Sequence, residues 1–450
     1  MSFPLDRRGF LVLTGAALAT AAGAGTALAG GFPGPPPAKT PWATRILVFS
    51  RTAGFRHDSI PAGVQAIREL GAAHGFGVDT TEDPTVFTPG RLRRYRAVVF
   101  LNTTGDVLDE RQQRAFENYI RGGGGFVGVH AAADTEYDWP FYGGLVGAWF
   151  RSHPAIQQAT IKVEDRAHPA TAHLPTTWTR TDEWYNFRTN PRAEVHVLAS
   201  LDESSYDPGE GAMGDHPIAW CHHYQGGRAF YTALGHTTES YAEPAFRQHL
   251  LGGIRWAAGL AQADARPEVG YVPLFDGTST EGWSQAGPGG FTLADGTLTS
   301  YGGMGLLWYS AREFHSYSLK LDWSMAGDDN SGVFIGFPPS DDPWSAVDNG
   351  YEIQIDATDT PDRTTGAIYG FRSADLAARD AALNPPGEWN TFEILVRGEN
   401  VQVFLNGVKI NDFTNTDPAR SLRQGHIGIQ NHGDGDEVSF RNIRIKELTG

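Results

Sequence analysis

The apolar pattern of this chain changes period partway along, and that change limits the folds open to it. From Arg45 onward, short wholly apolar runs alternate with helical segments. Ile46-Leu47-Val48-Phe49, Ala97–Leu101 (AVVFL) and Gly125–Val129 (GFVGV) read as buried strands. Ile60–His74, with Val64, Ile67 and Leu70 on one face, and Asp109–Arg121 read as helices. Continuous apolar strands separated by helices predict a parallel sheet covered on both faces. Further strands are expected near Val195–Leu198, Ile218–Trp220 and Ala229–Ala233, with a closing helix over Ala245–Ala258. After Pro267 the helical period disappears. Alternating runs such as Tyr317–Trp323, Tyr351–Asp356 and Thr391–Arg397 predict an antiparallel sandwich of the jelly-roll kind. Asn406-Gly407 supplies a hairpin turn.

The 450 residues are enough for two or three domains. Arg7-Arg8-Gly9-Phe10-Leu11, a weakly apolar run to Leu28 and Ala27-Leu28-Ala29 resemble a twin-arginine export signal cleaved after Ala29. An uncleaved anchor is the alternative. Export would put the protein in the periplasm or outside the cell. The predicted organisation is a signal over 1–29, a Pro-rich spacer over 30–43, an α/β domain over 44–260, a linker over 261–270 and a β-sandwich over 271–448. With 52 acidic against 36 basic residues, the net charge of −16 argues against a nucleic-acid surface. The single cysteine, Cys221, excludes an intrachain disulfide and any Cys-rich zinc site. No membrane association is expected after signal cleavage, and no nucleotide cofactor. The sequence does not speak to oligomeric state.

In the α/β half, Gly122–Ala133 (GGGGFVGVHAAA) reads as turn, strand, sharp turn and helix. A residue at such an elbow projects from the carboxyl end of the sheet, where hydrolases and amidotransferases keep a nucleophile. Here it is His130, while Cys221 lies in a different strand, so thiol chemistry at the elbow is not expected. Twelve of the 15 histidines fall in this half. His57, His130 and His236 each follow a predicted strand, so in a parallel sheet their loops open at one end. Asp134, Asp182 and Glu183 lie in neighbouring motifs. Imidazoles with a carboxylate suit a divalent cation such as zinc, but the same groups can bind a sugar and move protons. His153, His168, His173, His196 and His249 are assigned to packing or surface.

This half resembles the ThuA-like (trehalose utilisation) family over roughly Thr44 to Gly259. The resemblance rests on Gly54-Phe55-Arg56-His57-Asp58-Ser59-Ile60, Gly125–Ala132, Trp139-Pro140-Phe141-Tyr142, Asp182-Glu183-Trp184-Tyr185, Asp215-His216-Pro217 and Leu234-Gly235-His236-Thr237. It implies a class I glutamine amidotransferase-like fold.

In the second half, Tyr351, Ile353 and Ile355 share one strand face, and Glu352, Gln354 and Asp356 the other. Gln430 and His432 alternate with Ile427 and Ile429 in the same way. The polar faces are expected on the solvent side, forming a ligand surface or an ordinary solvated face. Trp308, Trp323, Trp344 and Trp389 offer flat rings of the kind that stack on sugars. This half resembles the 3-keto-disaccharide hydrolase family, a concanavalin-like jelly roll, over about Tyr271 to Leu448. Its marks are Pro273-Leu274-Phe275-Asp276-Gly277, Asn330-Ser331-Gly332-Val333-Phe334, Gly350-Tyr351-Glu352-Ile353-Gln354-Ile355, Gly387-Glu388-Trp389-Asn390 and Ile427–Gly433.

The resemblance implies cleavage of glycosides oxidised at C3. A C3 ketone acidifies the C2 proton; a base removes it, the C1 substituent leaves, and water adds. On this reading Glu352 or His432 is the base. Asn330, Gln354, Asp356, Gln430 and Trp389 contact the sugar. His130 and Glu183 act in the α/β half on a related sugar, and His57, His130 and His236 hold a divalent cation (zinc, manganese or calcium). Two alternatives stand beside it: a non-catalytic glycan-binding protein on a degenerate amidotransferase scaffold, or catalysis in the ThuA-like half alone.

Overall fold

The computed structural model describes residues 43–448. The proposed export signal lies outside them, as does all but the last residue of the Pro-rich spacer. Among the described residues no helix is long and apolar enough to cross a membrane.

The first half is a nine-stranded sheet with helices packed against it. Five strands run parallel, in the order Gly77–Thr81, Arg45–Phe49, Ala97–Leu101, Gly125–Val129 and Gly227–Thr232. Each of the three predicted apolar strands forms and is almost wholly buried. The helices Ile60–His74 and Glu110–Arg121 follow their predicted spans, the second capped by Asp109 in a capping box with Gln112. The sheet is not parallel throughout. Pro217–Tyr224, His196–Leu201, Gln157–Val163 and Thr177–Asp182 join antiparallel at one side. Local turn chemistry is the reason. Gln225 and Gly226 both have positive φ, 52° and 102°, and close a two-residue hairpin that forces Gly227–Thr232 to run back along Pro217–Tyr224.

The second half is an antiparallel sandwich. One sheet orders Gly290–Ala294, Thr297–Tyr301, Val438–Glu447, Tyr317–Met325, Asn390–Arg397, Asn400–Leu405 and Val408–Thr414, with Val272–Pro273 paired to Val438–Glu447. The other orders Trp283–Ala286, Gly305–Tyr309, His426–Asn431, Asn330–Phe337 and Tyr351–Asp356. Between them lie Val333, Ile353, Ile355, Ile427 and Ile429 from the smaller sheet and Phe392, Ile394, Val403 and Ile445 from the larger. Asn406 and Gly407, at φ 49° and 85°, form the expected hairpin turn.

The segment expected to be a simple linker is packed and ion-paired. Ala261, Ala263 and Ala265 are buried. Asp264 accepts from Lys320 at 2.8 Å and Glu268 from Arg444 Nε at 2.7 Å, both on the outer face of the larger sheet.

Candidate functional site

Two groups of predicted residues come together, one in each half. In the α/β half, His130 occupies the elbow with φ at 48°. A non-glycine residue held there stores about 1–3 kcal/mol of strain, which surrounding contacts must offset. Tyr231 Oη donates to the His130 carbonyl at 2.8 Å, and the helix expected after the turn is a short 3-10 helix over His130–Asp134. Cys221 is buried in its strand, and burial pushes its thiol well above the ordinary value.

His57, His130, Glu183 and His236 converge, each offering one ligand atom, all within 4.8 Å of one another. His130 Nδ1 lies 2.7 Å from the Ala233 carbonyl, which can only accept, so Nδ1 carries the proton. With Nδ1 so engaged, Nε2 is the nitrogen that faces Glu183 Oε2 at 3.3 Å and His236 Nδ1 at 3.1 Å. His236 Nδ1 is 3.1 Å from the same carboxylate oxygen. His57 Nδ1 is buried without a partner. Burial and the neighbouring imidazoles push the His57 pKa down to about 3, keeping that ring neutral. Burial alone would raise the Glu183 carboxyl, but the bonds and charges of His130 and His236 outweigh it and hold its pKa below the carboxylate range. Burial opposes charge on His236 too, and Glu183 overcomes it, so that pKa is raised. Three imidazoles and one carboxylate oxygen around a single point, with the elbow imidazole anchored through its other nitrogen, match the donor set and outer support of a divalent-cation site.

Asp182 supports this centre rather than joining it. Its two oxygens accept the backbone N–H groups of Gly235 and His236 at 2.9 and 3.1 Å. Asp134 is bonded to Tyr137 Oη. Two neighbours were missed from sequence. His153, assigned to packing or surface, is half-exposed and sits 3.1 Å from Glu183 Oε1. Tyr185 lies against the His130 ring, centroids 4.1 Å apart; its place two residues after Glu183 was the available signal.

In the sandwich, register sets the arrangement. Asn330 pairs with Asp356, Gly332 with Gln354 and Phe334 with Glu352. Val333 pairs with Ile429, and continuing that register brings Gly332 opposite Gln430 and Asn330 opposite His432. The predicted polar residues therefore do share one face. That face is not on the solvent side: Glu352, Gln354, Asp356 and Gln430 are all buried. A second apolar cluster shares that face: Leu306 stands opposite Gln430 and Phe334 opposite Glu352, and Trp308, Phe337 and Ala346 complete it.

Glu352 is the outstanding group there. Its side chain lies over Gly332, where an added Cβ would overlap Oε1 and stand 2.6 Å from Cγ and 2.8 Å from Cδ. Oε1 has no hydrogen-bond partner, and neither do the Oε1 atoms of Gln354 and Gln430. Burial, with no compensating charge, pushes the Glu352 pKa up to about 8. At the rim, His432 is half-exposed and its Nδ1 is 2.9 Å from Asp436 Oδ2. The carboxylate accepts, so Nδ1 donates and the neutral ring keeps its lone pair on Nε2. Asp436 Oδ1 also accepts the Asn330 backbone N–H at 3.2 Å. Asp436 was missed from sequence, although its position four residues after His432 in a Gly/Asp loop was legible.

The tryptophans need correction. Trp389 is not on this face. It precedes a strand of the larger sheet, and the Arg441 guanidinium covers its ring at 3.6 Å. Trp323 is buried in the sandwich core and Trp308 in the second apolar cluster. Trp344 alone of the four is exposed.

Comparison with known proteins agrees with these two halves. Residues 45–257 match the trehalose utilisation (ThuA) family, and residues 270–446 match the 3-keto-alpha-glucoside-1,2-lyase-like domain. The chain thus carries a ThuA domain followed by a 3-keto-disaccharide hydrolase-like domain. It is 27% identical over 231 residues to a 3-keto-disaccharide hydrolase of Bacteroides thetaiotaomicron, covering 40% of this chain and 79% of that protein. Among solved structures, a ThuA-like protein of Bacteroides uniformis shares 27% identity over 50% of this chain and 95% of its own, with a TM-score of 0.43. A protein of Parabacteroides distasonis described as a candidate glycosyl hydrolase shares 27% identity over 40% and 99%, with a TM-score of 0.34.

Proposed function

We propose that this protein is a carbohydrate-cleaving enzyme whose sandwich breaks the glycosidic bond of 3-keto-glycosides. The observation that carries the reading is the Glu352 carboxyl, buried without a counter-ion beside the free amide oxygens of Gln354 and Gln430. The likeness to a 3-keto-disaccharide hydrolase supports it. An ordinary glycosidase needs two flanking carboxylates, one of them ionised. A neutral carboxyl suits a ketone instead, because it donates a hydrogen bond to the oxygen where charge develops.

In this account His432 Nε2 removes the C2 proton, and the electron pair passes to the C3 oxygen as an enediolate bonded by Glu352. The C3 carbonyl then reforms, C1=C2 forms and the C1–O bond breaks. The departing oxygen takes the proton from His432, and water later adds across C1=C2. The Glu352 carboxyl and His432 are separated by roughly 7 Å along the strands and about 5 Å across them, room for a sugar ring.

The ThuA half binds or acts on a related sugar in this reading, with a divalent cation held by His57, His130, Glu183 and His236. Such a cation polarises a bound oxygen or lowers the pKa of bound water. The chain's own part is to anchor His130 on Ala233 and to hold His236 through Glu183 and the Asp182-bound loop. The N-terminal segment would direct the protein out of the cytoplasm by the twin-arginine route, to the periplasm or beyond. Replacing Glu352 and His432 singly by Ala and assaying a 3-keto-glucoside tests the sandwich assignment; turnover should fall in each, and undiminished turnover in both overturns it.

A further inference from the structure

The sequence assigns Asp356 to the sugar, but its carboxylate is committed elsewhere. Oδ1 accepts the backbone N–H groups of Thr358 and Asp359 at 2.8 and 3.1 Å. Oδ2 accepts from Asn330 Nδ2 at 2.7 Å. A carboxylate held by backbone N–H donors only accepts, so the Asn330 amide has one orientation, with its NH₂ toward Asp356. Asn330 Oδ1 is thereby turned toward Gln354, whose Nε2 donates to it at 3.2 Å. Gln354 in turn has one orientation, and its Oε1 is left unpartnered and buried. The polarity of an otherwise ambiguous amide is set two residues away, by a charge that touches no ligand.

We propose that Asp356 and Asn330 are positioning residues, a relay that presents the Gln354 carboxamide oxygen on the face that carries Glu352, so that this subsite takes a sugar hydroxyl and rejects a group that can only accept. The inference rests on the reading that this face binds the sugar. It divides the ligand chemically. The keto oxygen, an acceptor, belongs against the Glu352 carboxyl, and a hydroxyl donor of the same ring belongs against Gln354. Reversing the amide would set an NH₂ there; the hydroxyl could accept from it, but the hydroxyl's own buried proton would lose its acceptor, which is costly.

The test is a reversal of the relay in the full chain. Asp356→Asn presents an NH₂ to Asn330, flips it and so flips Gln354. Adding Asn330→Asp restores an acceptor-only group between the two amides and returns Gln354 to its native orientation. Binding of methyl glucoside is followed by NMR titration, and turnover of its 3-keto derivative in parallel. Binding should weaken about tenfold in Asp356→Asn, with the loss in KM rather than kcat, and recover in the double variant. Equal binding by wild type and Asp356→Asn, or no recovery in the double variant, overturns the relay. If Asp356→Asn does not fold, Gln354→Met, which keeps the length but offers neither amide atom, should bind the glucoside about tenfold more weakly; unchanged binding overturns the proposal equally. Loss and recovery of binding without any turnover would leave the relay standing and overturn the assigned reaction. Wild-type protein that neither binds the glucoside nor turns over its 3-keto derivative overturns both.

Discussion

The Glu352 carboxyl lies where the side chain of residue 332 would be, and Gly332 supplies the space. The backbone of Gly332 does not require glycine; the carboxyl above it does. Gly332→Ala should therefore displace Glu352 from between Gln354 and Gln430. Overpacking of this kind costs about 1–3 kcal/mol of stability. Misplacing a reacting group costs on the order of a hundredfold in turnover. Kinetics with a melting curve checks this; full activity in a folded Gly332→Ala protein would show that the carboxyl position does not matter.

The raised Glu352 pKa has a signed consequence for stability. The folded protein keeps this proton up to about pH 8, whereas an exposed carboxyl loses it near its ordinary value of 4.5. Between those values the folded state binds the extra proton, so the contribution is full below pH 4.5 and is lost as pH rises through 8. Glu352→Gln removes it. The variant should lose less unfolding free energy than wild type between pH 5 and pH 9, the difference reaching a few kcal/mol at most, and its melting temperature should fall correspondingly less. Parallel pH dependences would contradict a neutral buried Glu352.

For the α/β half, elemental analysis of the purified protein should find about one divalent cation per chain. His130→Ala and Glu183→Gln should each lose it, and a chelator should lower the wild-type melting temperature toward theirs. Metal content unchanged in both variants would place any cation elsewhere.

The tryptophans separate binding from packing. Trp344→Ala should weaken glycan binding with little change in stability, since its ring is exposed. Trp389→Ala should leave KM unchanged and cost about 1–2 kcal/mol of stability, because it removes a ring from under the Arg441 guanidinium. Substrate titration and thermal melts distinguish the two; an elevated KM in Trp389→Ala would contradict the placement.

Much of this was legible in the sequence. Ala97–Leu101 and Gly125–Val129 announced buried strands because each is wholly apolar, and His130 announced the elbow because a strand and a small-residue run flank it. The convergence of His57, His130 and His236 followed from loops opening at one end of parallel strands. What period alone hid were facts of tertiary contact. Alternation assigned Glu352 and Gln354 to one face but not to a buried one, because the apolar residues that share the face, Leu306, Phe337 and Ala346, come from other strands and a short helix. It could not tell Trp344 from Trp389, since the Arg441 that covers the latter comes from the last strand. His153 escaped because its partner Glu183 is thirty residues away.

On the function proposed for the sandwich, bond cleavage passes through loss of the C2 proton at the Glu352 face. The direct measurement is the turnover of a 3-keto-glucoside in D₂O, with mass analysis of the released keto-sugar against the same sugar incubated without protein. One deuterium at C2 is expected in each product molecule formed by the wild type, with product formation falling sharply in Glu352→Ala and His432→Ala. Product released at full rate with hydrogen retained at C2 would mean direct displacement at C1, and would contradict the account.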